Sequence, residues 1–320
     1  WFEPWEKTVL KWLKANEKAK FGALEALRDF YVKSLAITFD GRADANERDL
    51  YVSECYELVP VDNPIGEGQI WIAPDDGFDE KRRYMGVDYQ RAGDFWIWVV
   101  QADQVGNMRL IWAGKLDINF EVVEHLRRFF DIVPGRVGLD AGTDANIASL
   151  YEACARYGWT ALNAENRQFY LTDEWEDEAG NIESEQVRYP FSEDRNVGTF
   201  YRDDSDDVIH ARLILWDKNW ISEMFDQIRV GDSYVKLLLP ANMDRLETNW
   251  RKVERIEKQL TSMVFADPRQ LKGRPVLKAK KIWTKRTTNA QEHLWDCASQ
   301  VPVLMSVDGY FQEVIDSKNE

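Results

Sequence analysis

Residues 82–100 read RRYMGVDYQRAGDFWIWVV. Two runs rich in β-branched and aromatic residues flank QRAG, a short polar stretch with a glycine, and this predicts two strands joined by a turn. The second run continues to residue 103 as DFWIWVVQAD, QVGN at 104–107 turns the chain again, and MRLIWAGKLD at 108–117 predicts a third strand. Three successive strands with short turns make an antiparallel meander. One residue is out of place in it: Asp88, an acid inside the otherwise apolar first strand.

Downstream of the meander the period changes from two to about 3.6. INFEVVEHLRRFFDIV at 118–133 places Phe120, Val123, Leu126 and Phe130 on one side of a helix. RVGLDAG at 136–142 predicts a buried strand, ANIASLYEACARYG at 145–158 a helix closed by Gly158, and WTALNAE at 159–165 a further short strand. VIHARLILWD at 208–217 reads as a strand and KNWISEMFDQI at 218–228 as a helix. DRLETNWRKVERIEKQLTSM at 244–263 predicts a second helix, followed by a basic strand pair. EHLWDCASQVPVLMSV at 292–307 predicts the closing helix. The order β-β-β-α-β-α followed by a late helix predicts a mixed, layered α/β architecture.

Upstream, residues 8–35 carry apolar positions at three- and four-residue spacing, among them Leu10, Leu13, Leu24, Leu27 and Tyr31, and predict helix. A polar stretch, YVSECYELVP at 51–60 and a turn-rich loop lead to the main fold, so residues 1–80 read as a connector and 81–320 as the main domain. The chain opens on Trp1 without a signal-peptide pattern, which suggests a piece of a longer protein. No apolar run reaches the roughly 20 residues of a membrane span. The three cysteines (Cys55, Cys154, Cys297) are scattered without metal-binding spacing, which suggests a reducing compartment and argues against zinc.

The 320 residues carry a net charge of −15, unevenly distributed. The stretch 171–207 holds thirteen acids against three arginines and lies in an insertion at about 165–207, expected to form two ribbon strands around a turn at 178–181. Residues 267–289 hold eight Lys and Arg against one acid. A basic run of this kind beside a carboxylate motif is compatible with a local DNA-binding face, although the overall charge opposes phosphate binding.

The chain has no P-loop, GxSxG, HExxH or GxGxxG motif, and so no nucleotide site. His125, His210 and His293 are far apart in sequence, which leaves carboxylates as the candidates for chemistry. Asp88 lies in MGVDYQ, Asp140 ends the apolar run RVGLDAG, and Asp296 lies in HLWDCA among Leu294, Trp295 and Cys297. An ionised carboxylate beside a core is costly without a partner, and clustered carboxylates suit Mg²⁺ or Mn²⁺. The alternative is structural: each aspartate ends a strand or caps a helix.

Four stretches together resemble the nuclease domain of the large terminase subunit of tailed bacteriophages, in its lambda-like branch. ALRDFYVKSLAITF at 26–39 looks like the segment joining that family's ATPase to its nuclease. RRYMGVDYQRAGDFWIWVV resembles its first two nuclease strands, and RVGLDAGTDANIASLYEACARYGW at 136–159 its second acidic strand and helix. NAQEHLWDCA at 289–298, preceded by KKIWTKR, resembles its final acidic helix. The resemblance implies an RNase H-like mixed central sheet flanked by helices, with an N-terminal helical connector; the acidic β-ribbon insertion departs from the family pattern.

The same resemblance implies a metal-dependent endonuclease that cuts concatemeric double-stranded viral DNA during packaging. Asp88 would bridge two Mg²⁺ or Mn²⁺ ions, and Asp140 and Asp296 would each complete one shell. Lys280, Lys281, Lys285 and Arg286 are candidates for DNA-backbone contacts, and Asp144 and His293 for accessory or structural roles. The implied partners are double-stranded DNA, the missing ATPase domain of the same chain, the small terminase subunit and the portal, with no membrane, in the cytoplasm of an infected bacterial host. Two other readings use the same residues: another RNase H-like nuclease of resolvase or integrase type, and a non-catalytic DNA-binding motor-scaffold module.

Overall fold

A computed structural model describes residues 5–20, 30, 56–90, 94–117, 119–142, 147–176, 181–202, 206–249, 256–266, 282–285 and 291–319. Helix α1 (Trp5–Lys20) opens the chain. A hairpin follows, β1 (Val59–Asp62) paired with β2 (Gln69–Ile72). Its turn is built by Asn63, whose side chain accepts from the Ile65 amide at 3.1 Å, and by Gly68 at φ +84°. This hairpin lies inside the stretch expected to be a connector, yet Tyr56, Leu58, Ile70 and Ala73 are buried in the same core as the main sheet.

The predicted meander forms as β3 (Glu80–Tyr89), β4 (Asp94–Asp103) and β5 (Asn107–Asp117), antiparallel throughout. Helix α2 (Phe120–Phe129), capped by the Asn119 side chain on the Glu121 amide, crosses over to β6 (Val137–Asp140). Helix α3 (Ile147–Tyr157), ended by Gly158 at φ +73°, leads to β7 (Thr160–Glu165). Strands β8 (Phe169–Glu176) and β9 (Ile182–Tyr189) form the expected acidic ribbon as a sheet of their own. The chain then returns through β10 (Arg195–Tyr201) and β11 (Val208–Asp217), helix α4 (Lys218–Arg229) and the short β12 (Lys236–Leu238). After these come α5 (Ile256–Leu260), the pair β13 (Met263–Ala266) and β14 (Ile282–Lys285), and helices α6 (His293–Val307) and α7 (Tyr310–Asn319).

Eight strands make one mixed sheet in the order β10-β11-β7-β6-β3-β4-β5-β12. Strands β3, β6, β7 and β11 run parallel as neighbours, while β4 and β10 are antiparallel to theirs. The fold is therefore α/β, a mixed central sheet flanked by helices. Helices cover both faces, so β4 is buried along almost its whole length instead of alternating. Aromatic rings of α2 and its surroundings line one face, where Phe120 meets Tyr89, Phe95 and Trp159. Helix α6 packs on the other face.

Two sequence readings need correction. Residues 244–263 are not one helix: among the described residues Met243–Asn249 is a 3₁₀ helix, Ile256–Leu260 is α-helix, and Met263 already opens β13. Helix α6 does not close the chain either, because the C-cap at Asp308 and Gly309 at φ +73° turn it into α7, whose Tyr310 is fully buried. Among the described residues no helix is long and apolar enough to cross a membrane.

Candidate metal centre

The site is assembled by the way α6 lies on β3 and β6. A strand sends alternate side chains to the same face, so Gly86 and Asp88 share one face, as do Gly138 and Asp140. A Cβ on Gly86 would stand 2.0 Å from the Cys297 carbonyl oxygen, and one on Gly138 would stand 3.3 Å from Gln300 Oε1. Gly86 therefore lets the helix backbone touch the strand. Gln300 fastens the contact: its Oε1 accepts from the Val87 amide at 3.1 Å and its Nε2 donates to the Val87 carbonyl at 3.2 Å. The Cys297 thiol adds a bond to the Trp96 carbonyl.

Asp88 and Asp140 lie two residues beyond these glycines, at the C-terminal ends of adjacent parallel strands whose Val87 and Leu139 are paired. Asp296 precedes Gln300 by four residues and so projects from the same face of α6, one turn nearer its N-terminus. The three aspartates picked from sequence thus come together where strands end and a helix begins, a common place for sites in open α/β sheets. Helix α4, packed against α6, adds a group the sequence reading missed. The Lys218 ammonium stands 3.9 Å from Asp296 Oδ1.

Asp88 is 2% exposed and is oriented by neighbours. His293 Nδ1 meets its Oδ2 at 3.0 Å, and the Gln90 amide donates to the same oxygen. The His293 ring stacks on Trp96, the cross-strand neighbour of Asp88, with centroids 5.1 Å apart. The Gly142 amide donates to Asp140 Oδ1 at 3.1 Å. Glu292, next to His293, pairs with Lys285 at 2.9 Å. Lys285 is thus beside the carboxylates but already engaged, whereas Lys280, Lys281, Arg286 and Asp144 lie outside the described residues.

The electrostatics report an excess of negative charge. Burial, and then the charge of Asp88, push the Asp140 carboxyl up to about 7. Burial pushes Asp296 well above the carboxylate range, with Asp88, Glu292 and Asp140 adding to it and Lys218 opposing. Asp296 sits in the first turn of α6, where the helix dipole favours its charge, and burial and the nearby acids outweigh that. Lys218 is raised as well, by Asp296 above all, which for an ammonium favours the charged form.

These residues fit a divalent cation in chemistry. Their donors are carboxylate oxygens, the ligands of Mg²⁺ and Mn²⁺, and they crowd charge that the local cations do not balance. Among the described residues, however, no three His, Cys, Asp or Glu side chains are already drawn into a coordination shell. A sequence signal for Lys218 did exist. It opens a helix directly after a buried strand, where a cation opposes the helix dipole and therefore calls for a nearby acid. No family model, curated protein or solved structure matches the chain.

Proposed function

We propose that the chain is a metal-dependent endonuclease with an RNase H-like fold, similar to the nuclease domain of large terminase subunits. It cuts concatemeric double-stranded DNA during genome packaging. The observation that carries this reading is that Asp88 and Asp140 end two adjacent parallel strands and Asp296 lies on the helix packed over them, near enough for the three charges to act on one another. An antiparallel meander that passes through helical crossovers into parallel strands supports it as well. On this reading the partners are DNA, an ATPase domain, the small terminase subunit and the portal, in the cytoplasm of an infected bacterium.

Asp88, Asp140 and Asp296 would hold one or two Mg²⁺ or Mn²⁺ ions. Bound there, the metal supplies Lewis acidity and neutralises charge developing on a phosphodiester. The chain's own part is positioning. His293 and Gln90 both engage Asp88 Oδ2 and so orient its carboxylate, and Trp96 holds the imidazole flat. Asp140 and Asp296 lie at the edge of the core, where charge is weakly screened and each carboxylate gains most from a divalent partner.

A non-catalytic DNA-binding module is the second reading, favoured by the absence of a ready coordination shell among the described residues and by the Lys218–Asp296 contact. Plasmid nicking separates the two. With Mn²⁺ or Mg²⁺ the protein is expected to nick supercoiled plasmid, and Asp88→Asn and Asp296→Asn are expected to abolish nicking while melting as cooperatively as the parent. No metal-dependent nicking by the full protein would leave only the module reading, and retained nicking in either variant removes that residue from the site.

A further inference from the structure

We propose that Lys218 is the resident counter-charge of the carboxylate cleft, and that binding a divalent cation displaces its ammonium from Asp296. The inference rests on the metal-site reading above and adds how that site is kept stable when empty. Lys218 is the first residue of α4, and its place is fixed by its predecessor. Asp217 Oδ1 accepts from the amides of Asn219 and Trp220, capping the helix. Asp217 Oδ2 accepts from Arg188 Nη2 of β9 at 2.8 Å, and the Arg188 guanidinium lies over the Trp220 ring. The first turn of α4 is thereby held at the cleft from both sides, and the lysine side chain extends from it to Asp296 at 3.9 Å.

Three features argue for a counter-charge over a surface lysine. The cation sits at a helix N-terminus, where the dipole disfavours it, so the acids must outweigh that effect. Lys218 faces the start of α6, where the N-cap Glu292 and Asp296 in the first turn bring two carboxylates together. Its only ion pair among the described residues is the long one to Asp296, a separation that leaves the ammonium easy to move. A monovalent group that moderates the repulsion of several carboxylates without closing on any one of them can be exchanged for a divalent ion. The exchange breaks no covalent bond: one ammonium swings into solvent as one divalent cation enters, and the site gains one positive charge.

The test uses the full chain with MnCl₂ as the probe, melting in EDTA and Mn²⁺ affinity by calorimetry. Lys218→Met is expected to lower the melting temperature in EDTA by about 2–4 °C and to tighten Mn²⁺ binding on the order of tenfold, because the competitor is gone. Lys218→Arg keeps the charge and should stay near the parent in both. Adding Asp296→Asn to Lys218→Met should restore the melting temperature, since the loss is repulsion and not packing. An unchanged melting temperature in EDTA, or unchanged or weaker Mn²⁺ binding, in Lys218→Met overturns the proposal while leaving the metal site standing. If Lys218→Met does not fold, folding of the double variant supports the proposal and its failure to fold overturns it. Absence of Mn²⁺ binding in the parent itself overturns the metal reading, and the exchange with it.

Discussion

Asp88 has little freedom: one carboxylate oxygen is taken by His293 and Gln90, and the histidine is itself stacked on Trp96. Side chains that orient a metal ligand commonly contribute 10–100-fold to affinity or activity. His293→Ala is therefore expected to reduce both Mn²⁺ affinity and plasmid nicking by about that factor, and His293→Gln, which can still donate to Oδ2, to recover part of the loss. A His293→Ala protein with parental nicking would show the contact to be incidental. Away from the site, Glu124 is a second single-residue test. Burial pushes its carboxyl up, but hydrogen bonds from Arg127 and Arg128 outweigh burial and hold it below the ordinary Glu range; it also accepts from Trp159 Nε1. A depressed folded value means stability that is present at neutral pH and lost as pH falls through the lowered value. Glu124→Gln should therefore destabilise by about 1–3 kcal/mol at pH 7, and the gap to the parent should close as pH falls below the ordinary Glu range. Denaturant melts across that range check it, and a gap independent of pH would mean that packing, not charge, is at stake. Asp88, Asp140 and Asp296 stand out in the sequence as acids in apolar runs, each with a structural excuse by itself, and are picked together because their order resembles one nuclease family. Lys218 carries a single weak signal, a cation opening a helix against its dipole, and the acids that explain it come from other elements and are evident only in the fold.

Among the elements, the contact of α6 with β3 decides whether there is a site at all. Asp296 is held over the strand ends of Asp88 and Asp140 because Gly86 lets the helix backbone come within van der Waals distance. Gly86→Ala places a methyl 2.0 Å from a carbonyl oxygen that is backbone on both sides of the contact, so relief requires moving the helix. Overpacking of this kind costs about 1–3 kcal/mol or more. The expected result is a lowered denaturation midpoint together with loss of Mn²⁺-dependent nicking, even in protein that remains folded. Full nicking in a folded Gly86→Ala protein would separate the helix position from the chemistry. The meander and the two helical crossovers were readable because each is long enough to show its own period. Strand β12 has three residues, and β10 has an exposed, weakly alternating pattern as the sheet edge; neither carries enough apolar signal to be seen alone. The 244–263 helix was overread for the opposite reason. Its 3.6-residue pattern is present, but the chain spends part of it in a 3₁₀ turn where Leu246 joins the core.

For the molecule as a whole, the net charge of −15 has to be reconciled with the proposed DNA substrate, and the ribbon is where the conflict concentrates. Its strands carry Asp173, Glu174, Glu176, Glu183 and Glu185, and its base is tied by Arg188 to Asp217, the neighbour of Lys218. Eight residues at about 3.3 Å each give the ribbon a length of roughly 26 Å. That is well beyond the Debye length of about 8 Å at physiological salt, yet inside the roughly 30 Å reached at 0.01 M. The ribbon's outer charges should therefore repel DNA held at the cleft only when salt is low. Replacing the five carboxylates by their amides is expected to tighten DNA binding several-fold near 0.01 M salt. The two proteins should converge above about 0.15 M, because screening removes the repulsion and leaves the phosphate contacts, whose own affinity falls with salt in both. Fluorescence anisotropy with a short duplex across a salt series measures this directly. An advantage that persists at high salt would mean that the ribbon blocks the cleft by its bulk or by contact. No advantage at any salt would place the DNA path on another side of the sheet.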